Sequence, residues 1–413
     1  MTALWQSGGM SWRREITRAQ WHSLLAAQLG YLLDGMDVLL YAFALTTLRQ
    51  VFGLDNAQAG LLASATLVAS AAGGILFGVV ADRVGRTRAL MATILIYSFA
   101  SAGTATSRSV AELLLWRALL GIGMGGEWSA GAVLVSETWP AAHRGKAIGF
   151  MQSGWALGYI AAALVAAAVL PRWGWRWLFA VGSLPALLVL WVRRNVAEPP
   201  IWQRRQGAPV TLGLIFRPPL ARTTLIATSL TTSVLLGYWG LFTWLPGFLS
   251  TPVERGGAGM SIVQTSGWII PVQVGAFLGY VTFGFLADRI GRRPAFVLYM
   301  LAAAVLAPLY GRLGANQAAL LVLGPALGFF GSGYFSLFGA LLAELFPTSI
   351  RGAGQGFTYN AGRAVSALSP YLVGALADRA GVGSALAVTS AFFLAGSALI
   401  WLLPETRGRE LVQ

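Results

Sequence analysis

Apolar runs of about 20 residues, separated by short polar intervals, recur along the whole chain, and a helical run of that length crosses the ~30 Å hydrocarbon core of a bilayer. They begin near Trp21, Gln58, Arg88, Val110, Lys146 and Arg176, and resume after a polar interval near Ala221, Gln264, Pro294, Gln317, Ala353 and Gly383. The pattern predicts an all-α integral membrane protein with twelve transmembrane helices. Trp12 to Gln20 is polar and the first apolar run is full length, so the first helix itself is expected to direct insertion, without a short cleavable leader.

Composition supports the same picture and removes several function classes. Of 413 residues, 56% are hydrophobic and 11% charged, more apolar side chain than a soluble core of this size can bury. Cysteine is absent, which excludes disulfides and thiolate metal sites. No Walker-type phosphate loop, metal-ligand spacing or catalytic triad occurs, so an enzyme, a cofactor, a metal site and ATP-driven pumping have no support. A net charge of +14 would suit nucleic acid, but its placement points elsewhere. With both termini inside the cell, the inner segments hold twenty basic residues, from Arg13, Arg14 and Arg18 through Arg204 and Arg205 to Arg407 and Arg409. The outer segments hold seven: Arg49, Arg108, Arg172, Arg176, Arg255, Arg312 and Arg379. That asymmetry predicts a multi-pass protein of the cell inner membrane with both termini cytoplasmic, in contact with the lipid bilayer and not with nucleic acid. Trp5, Trp173, Trp175 and Trp401 suit interfacial anchoring.

The chain also repeats itself. FGVVADRVGRTRA (77 to 89) matches FGFLADRIGRRPA (283 to 295) at an offset of 206, and SETWPAAHRGKAIGF (136 to 150) matches AELFPTSIRGAGQGF (343 to 357) at 207. Six predicted helices precede the polar stretch and six follow it. The division is therefore a six-helix half over 1–195, a cytoplasmic linker over 196–220 and a second half over 221–413, two pseudo-symmetric halves with a site between them near the midplane.

These motifs resemble the major facilitator superfamily over essentially the whole length. The loop signature G-x-x-x-D-R-x-G-R-R stands here as Gly78, Asp82, Arg83, Gly85 and Arg86, with Thr87 where a second base is usual; the copy at Gly284, Asp288, Arg289, Gly291, Arg292 and Arg293 fits it better. Glu137 with Arg144, and Glu344 with Arg351, resemble the E-x-x-P-x-x-x-R-G loops of sugar porters. The resemblance implies the major facilitator fold and a cytoplasmic gate built from these residues, with plain topology anchoring by positive charge as the other reading. Residues 125 to 159, GGEWSAGAVLVSETWPAAHRGKAIGFMQSGWALGY, are similar to the sialate:proton symporter family, which includes monocarboxylate carriers, with aromatic acid and metabolite symporters as neighbours.

Five ionisable side chains fall well inside the predicted helices: Asp34 and Asp37 in the first, Arg117 and Glu127 in the fourth, Arg363 in the eleventh. Each costs roughly 2.5–3.5 kcal/mol at the bilayer centre even on lenient scales, so they should face the protein interior and find partners. Asp34 and Asp37 lie about 60° apart around a helix and ~4.5 Å along it. In low dielectric two such carboxylates disfavour a second negative charge, so one of them takes and releases a proton readily. Arg117 is the candidate cation, in a helix whose glycines Gly121, Gly123, Gly125 and Gly126 admit close neighbours; the sugar-porter resemblance pairs Asp37 with it and puts the proton on that pair. A fixed structural network around Arg117 is the alternative. Glu127 is either a second proton stop or a tie to Asn or Ser partners. Arg363, with Asn360 on the same face one turn before it, is either the counter-ion of an anionic substrate, its planar fork suiting a carboxylate, or the partner of Glu127 or Asp34 across the halves. Two positive groups against three negative ones leave room for one proton, which favours electroneutral symport.

Further cavity candidates are Gln152, which matches a substrate-binding position of sugar porters, Tyr238, Trp239, Gln273 and Tyr334. The expected function is a monomeric, proton-coupled symporter importing a small organic anion, a carboxylate, by alternating access. A neutral sugar or polyol carrier or an uncoupled facilitator of the same fold is the runner-up; a nutrient sensor and a drug exporter are more distant readings.

Overall fold

The computed structural model describes residues 15–54, 56–203, 212–347 and 350–407. Trp5, Arg13, Arg14, Arg204, Arg205 and Arg409, and the middle of the linker, lie outside the described residues. Among the described residues ten segments are long and apolar enough to cross a membrane, and one of them, His143–Asn195, is long enough to cross twice. They are α1 (Arg18–Phe52), α2 (Asn56–Val84), α3 (Arg86–Thr106), α4 (Val110–Thr138), the double-length segment His143–Asn195, α7 (Leu220–Ser250), α8 (Ile262–Ile290), α9 (Arg292–Arg312), α10 (Gln317–Leu345) and α12 (Val382–Leu402). The double segment breaks at Gly174, whose φ of 75° only glycine adopts at no cost; this separates α5 (141–173) from α6 (175–195).

The remaining crossing, α11 (351–380), is too polar to qualify by composition. It spans nonetheless because its polar face is packed inside the bundle: Gln355, Thr358 and Asn360 are fully buried and Arg363 is 3% exposed. The predicted twelve crossings are therefore present, their starts within a few residues of the apolar runs. Large apolar side chains such as Val322 and Leu225 point outward, as a lipid-facing surface requires. Trp173 and Trp401 are exposed as interfacial anchors would be, whereas Trp175 is buried against Phe52 and Phe179.

Helices α1 to α6 pack on one another, as do α7 to α12, and the two groups meet along two seams, α2 with α11 and α5 with α8. Glycine sets both. A Cβ on Gly78 would stand 2.7 Å from the Gly352 carbonyl, and one on Gly284 would stand 2.8 Å from that of Gly145, so the backbones touch as small-residue contacts allow. The glycines of α4 admit α2 and α3: Gly121 and Gly125 face Thr66 and Ser70, Gly123 and Gly126 face Tyr97 and Thr93. The described chain ends Glu15 and Glu405, the basic loops and Trp202 gather at one end of the bundle, called here the basic end, where Glu15 meets His143, Trp21 packs on Trp139 and the Trp202 indole donates to the Asp82 carbonyl at 3.0 Å.

Candidate functional site

Between the two groups of helices lies a tight cavity of about 20 Å3 lined by Tyr31, Trp155, Leu235, Tyr238, Trp239, Tyr280, Phe335, Tyr359 and Arg363. Seven of these nine are aromatic and one is charged, so the cavity offers flat apolar faces and a single fixed cation. The Trp155 indole donates to the Tyr238 hydroxyl across the halves at 3.0 Å. Arg363 rests over the Tyr359 ring, 5.0 Å from its centroid, and one of its nitrogens donates to Ser70 Oγ on α2 at 3.4 Å.

The buried acids divide into two groups. Asp37 accepts a 2.6 Å hydrogen bond from Ser101 of α3 and lies against Gly182 of α6, while Arg117 stacks on the Tyr41 ring at 4.6 Å. Their charges act on each other, but among the described residues they form no ion pair at contact distance; the expected direct pair is here a pair of neighbours, each held by another group. Asp34 belongs elsewhere. Its charge acts on Arg363 and Glu127, and neither Asp34 nor Glu127 has a hydrogen-bond partner among the described residues. Glu127 packs against Gly30, one turn before Asp34, where a Cβ would stand 2.5 Å from its Oε1. Asn and Ser ties to Glu127 are therefore not seen. Arg363 stands beside two carboxylates without closing an ion pair on either among the described residues, leaving guanidinium capacity directed at the cavity.

Of the other candidates, Tyr238 and Trp239 line the cavity. Gln152 does not; its Oε1 accepts the Trp128 indole N–H at 2.7 Å. Asn360 donates to Ser129 of α4 at 3.3 Å and to the Gly356 carbonyl, a tie between halves rather than a cavity wall. Gln273 is buried in α8 outside the lining, and Tyr334 is enclosed by Phe296, Phe335 and Phe393. Tyr31, Trp155, Tyr280, Phe335 and Tyr359 went unpredicted. Three of them sit one helical turn from a residue the sequence singles out: Tyr31 before Asp34, Trp155 after Gln152, Tyr359 before Arg363. Extending each polar position by one turn along its face would have found them.

At the basic end the predicted gate residues form buried networks. Arg86 pairs with Asp82 at 2.7 Å and bidentately with Glu137 at 2.9 Å. Glu137 also pairs with Arg351 of the other half at 3.4 Å, and Asp82 accepts the Ala353 amide at the start of α11 at 2.9 Å. In the second copy Arg292 pairs with Asp288 within its own half, and Arg144 and Arg292 approach Glu344 at 3.9 and 3.8 Å. The copy with the poorer signature thus holds the tighter cross-half bond. Arg83 and Arg289 are exposed at their helix ends. Sequence reasoning missed Glu198 and Glu405, whose carboxylates cap α3 and α9 by accepting the backbone N–H groups of residues 86 to 88 and of 292 and 293. Their separation is again 207. Burial of Glu405 works to raise its pKa, but the backbone donors of Arg293, Arg292, Arg407 and Thr406 outweigh it and hold the carboxyl below its ordinary value.

Known proteins share this architecture. The chain is 36% identical to a probable 4-methylmuconolactone transporter of Cupriavidus pinatubonensis, covering 96% of this chain and 94% of the other. It is 32% identical to the cis,cis-muconate transport protein of Acinetobacter baylyi (91% and 92%) and 29% to the sialic acid transporter NanX of Escherichia coli (95% and 95%). Among solved structures, the proton:xylose symporter XylE bound to 6-bromo-6-deoxy-D-glucose superposes with a TM-score of 0.79 at 22% identity, covering 95% and 98%. The Major Facilitator Superfamily model matches residues 28–270 and 257–413. With twelve crossings, two glycine seams and ion pairs at the repeated loops, the chain belongs to the major facilitator superfamily: it is a multi-pass membrane transporter, not an enzyme.

Proposed function

We propose that this transporter imports a small organic carboxylate together with a proton across the cell inner membrane, as a monomer with both termini cytoplasmic, and that residues 1–195 and 221–413 are the halves that rock about the linker at 196–220. The observation that carries the reading is Arg363: a cation on the wall of an otherwise aromatic cavity, backed by two buried acids that lack hydrogen-bond partners among the described residues. A planar guanidinium with free donors suits a carboxylate. The relatives named for muconate and sialic acid support an acid as cargo, and the aromatic walls favour a flat one.

Asp34 and Glu127 stand behind Arg363, and Asp37 stands beside Arg117. A proton on this set offsets the charge of the arriving anion, so both cross together at low electrostatic cost. In this reading the basic end is the cytoplasmic side, where the latches hold the carrier shut until cargo and proton are aboard.

The experiment is uptake into proteoliposomes of cis,cis-muconate, nicotinate, benzoate, lactate, sialate and xylose, with and without an inward proton gradient. We expect one or more carboxylates to accumulate only with the gradient, and accumulation to fall to background in Asp34→Asn and Arg363→Ala. Xylose uptake indifferent to the gradient and to both substitutions would sink the proposal.

A further inference from the structure

Trp128 does not line the cavity, yet among the described residues it is the largest fully buried side chain. It stands on α4, in the first half, and its ring lies flat on that of Tyr359 in α11 of the second half, with centroids 3.8 Å apart and planes 19° from parallel. The indole N–H is fixed by Gln152 of α5 at 2.7 Å. Tyr359 in turn lines the cavity and carries the Arg363 guanidinium over its ring. One position on, Ser129 and Asn360 join the same two helices by a hydrogen bond. Nine residues further along α4 the latch pair Glu137 and Arg351 closes the basic end, about 13 Å away along the helix. Two tiers therefore join the halves between cavity and basic end: a charged tier at the membrane edge and an aromatic tier under the cavity floor.

We infer that Trp128, braced by Gln152, is a positioning residue for Arg363: it holds the Tyr359 ring across the seam, the ring holds the guanidinium, and the anion site is complete only while the basic end is shut. The inference rests on Arg363 being the carboxylate anchor. Its consequence is an affinity that changes with conformation. Opening the basic end parts α4 from α11, so the stack separates and Arg363 loses its support from the first half. The carboxylate then faces a less ordered cation at the moment it must leave, which favours release over recapture.

The test uses the full chain in right-side-out and inside-out membrane vesicles, with cis,cis-muconate and benzoate as probes. Trp128→Ala removes the stack; Trp128→Phe keeps an aromatic face. For entry from the far side, Trp128→Ala should raise KM about two- to tenfold, the worth of an aromatic pair, and Trp128→Phe should recover most of it. For entry from the basic side KM should not rise, because the stack is already apart there and its loss can only favour the open basic end. A merely structural role predicts equal changes at both faces or a fall in maximal rate alone, and either result overturns the inference. Arg363→Ala is the separate control: uptake that survives it removes the anchor reading itself.

A second measurement needs no cargo. The chain has no cysteine, so Leu235→Cys places a single thiol on the cavity wall. An impermeant maleimide applied from the basic side should label it faster in Trp128→Ala than in Trp128→Phe or the unaltered background, and equal rates in all three would overturn the aromatic tier.

Discussion

Asp82→Asn isolates the bond that distinguishes the shut basic end from the open one. Two contacts of Asp82 should behave differently if the halves part. The 2.7 Å pair with Arg86 lies inside the first half, so parting leaves it in place and it cancels. The 2.9 Å bond from the Ala353 amide crosses to the second half, so parting breaks it. Asparagine keeps an acceptor but loses the charge. A hydrogen bond to a charged group is worth roughly 1.5–3 kcal/mol against roughly 0.5–1.5 for a neutral one, and a carboxylate at a helix N-terminus adds about 0.3–1 kcal/mol. The shut state should therefore lose about 1–2 kcal/mol relative to the open one, a population shift of about five- to thirtyfold. Ala340, 1% exposed beside Gly145 and Gly284 where the halves meet, is the place to read it: Ala340→Cys, the only thiol in the chain, should react with an impermeant maleimide from the basic side faster by that factor. Asp288→Asn should change the rate less, since Asp288 pairs with Arg292 of its own half and its side chain is 26% exposed. An unchanged rate in Asp82→Asn, or a larger change in Asp288→Asn, would refute the assignment of the latch to the first copy.

Other outcomes follow from single contacts. Gly30→Ala places a methyl 2.5 Å from Glu127 Oε1, so the carboxylate must move; gradient-driven accumulation should fall at least about tenfold while the detergent-solubilised protein stays monodisperse, and normal accumulation would show that Glu127 has no part in coupling. Ser101→Ala strips Asp37 of its hydrogen-bond donor, a loss of about 1–3 kcal/mol for a buried acceptor, which should appear as a lower melting temperature; full stability would mean that Arg117 replaces the hydroxyl. Glu405 contributes through a depressed carboxyl, so its stabilisation is complete above the ordinary value of 4.5 and is lost as pH falls below it toward the folded value. The melting difference between wild type and Glu405→Gln should hold constant from pH 8 to 5 and shrink below that. A difference that instead faded above pH 6 would contradict the capping role.

The local and repetitive features were legible in the chain. Apolar runs marked the twelve crossings because each helix must satisfy its own backbone in lipid, and the 206 to 207 offset exposed the loops that carry the buried ion pairs because the same short motifs recur in both halves. The run from Ala353 also marked α11, although its polar face leaves it short of an apolar span by composition. Partnership of the buried charges could not. Asp34 and Asp37 are one turn apart and nearly share a face, yet one meets Arg363 of α11 and the other Ser101 of α3, since α1 is wedged among several helices and 60° of rotation changes the neighbour. The same holds for Gln152, whose amide serves Trp128 instead of the cavity, and for the aromatic walls, which gather from six helices that only packing brings together. Sequence alone decided what must be buried and how often the chain crosses; which buried groups face one another was decided by the packing of helices far apart in the chain, where a difference of a single turn exchanges one partner for another.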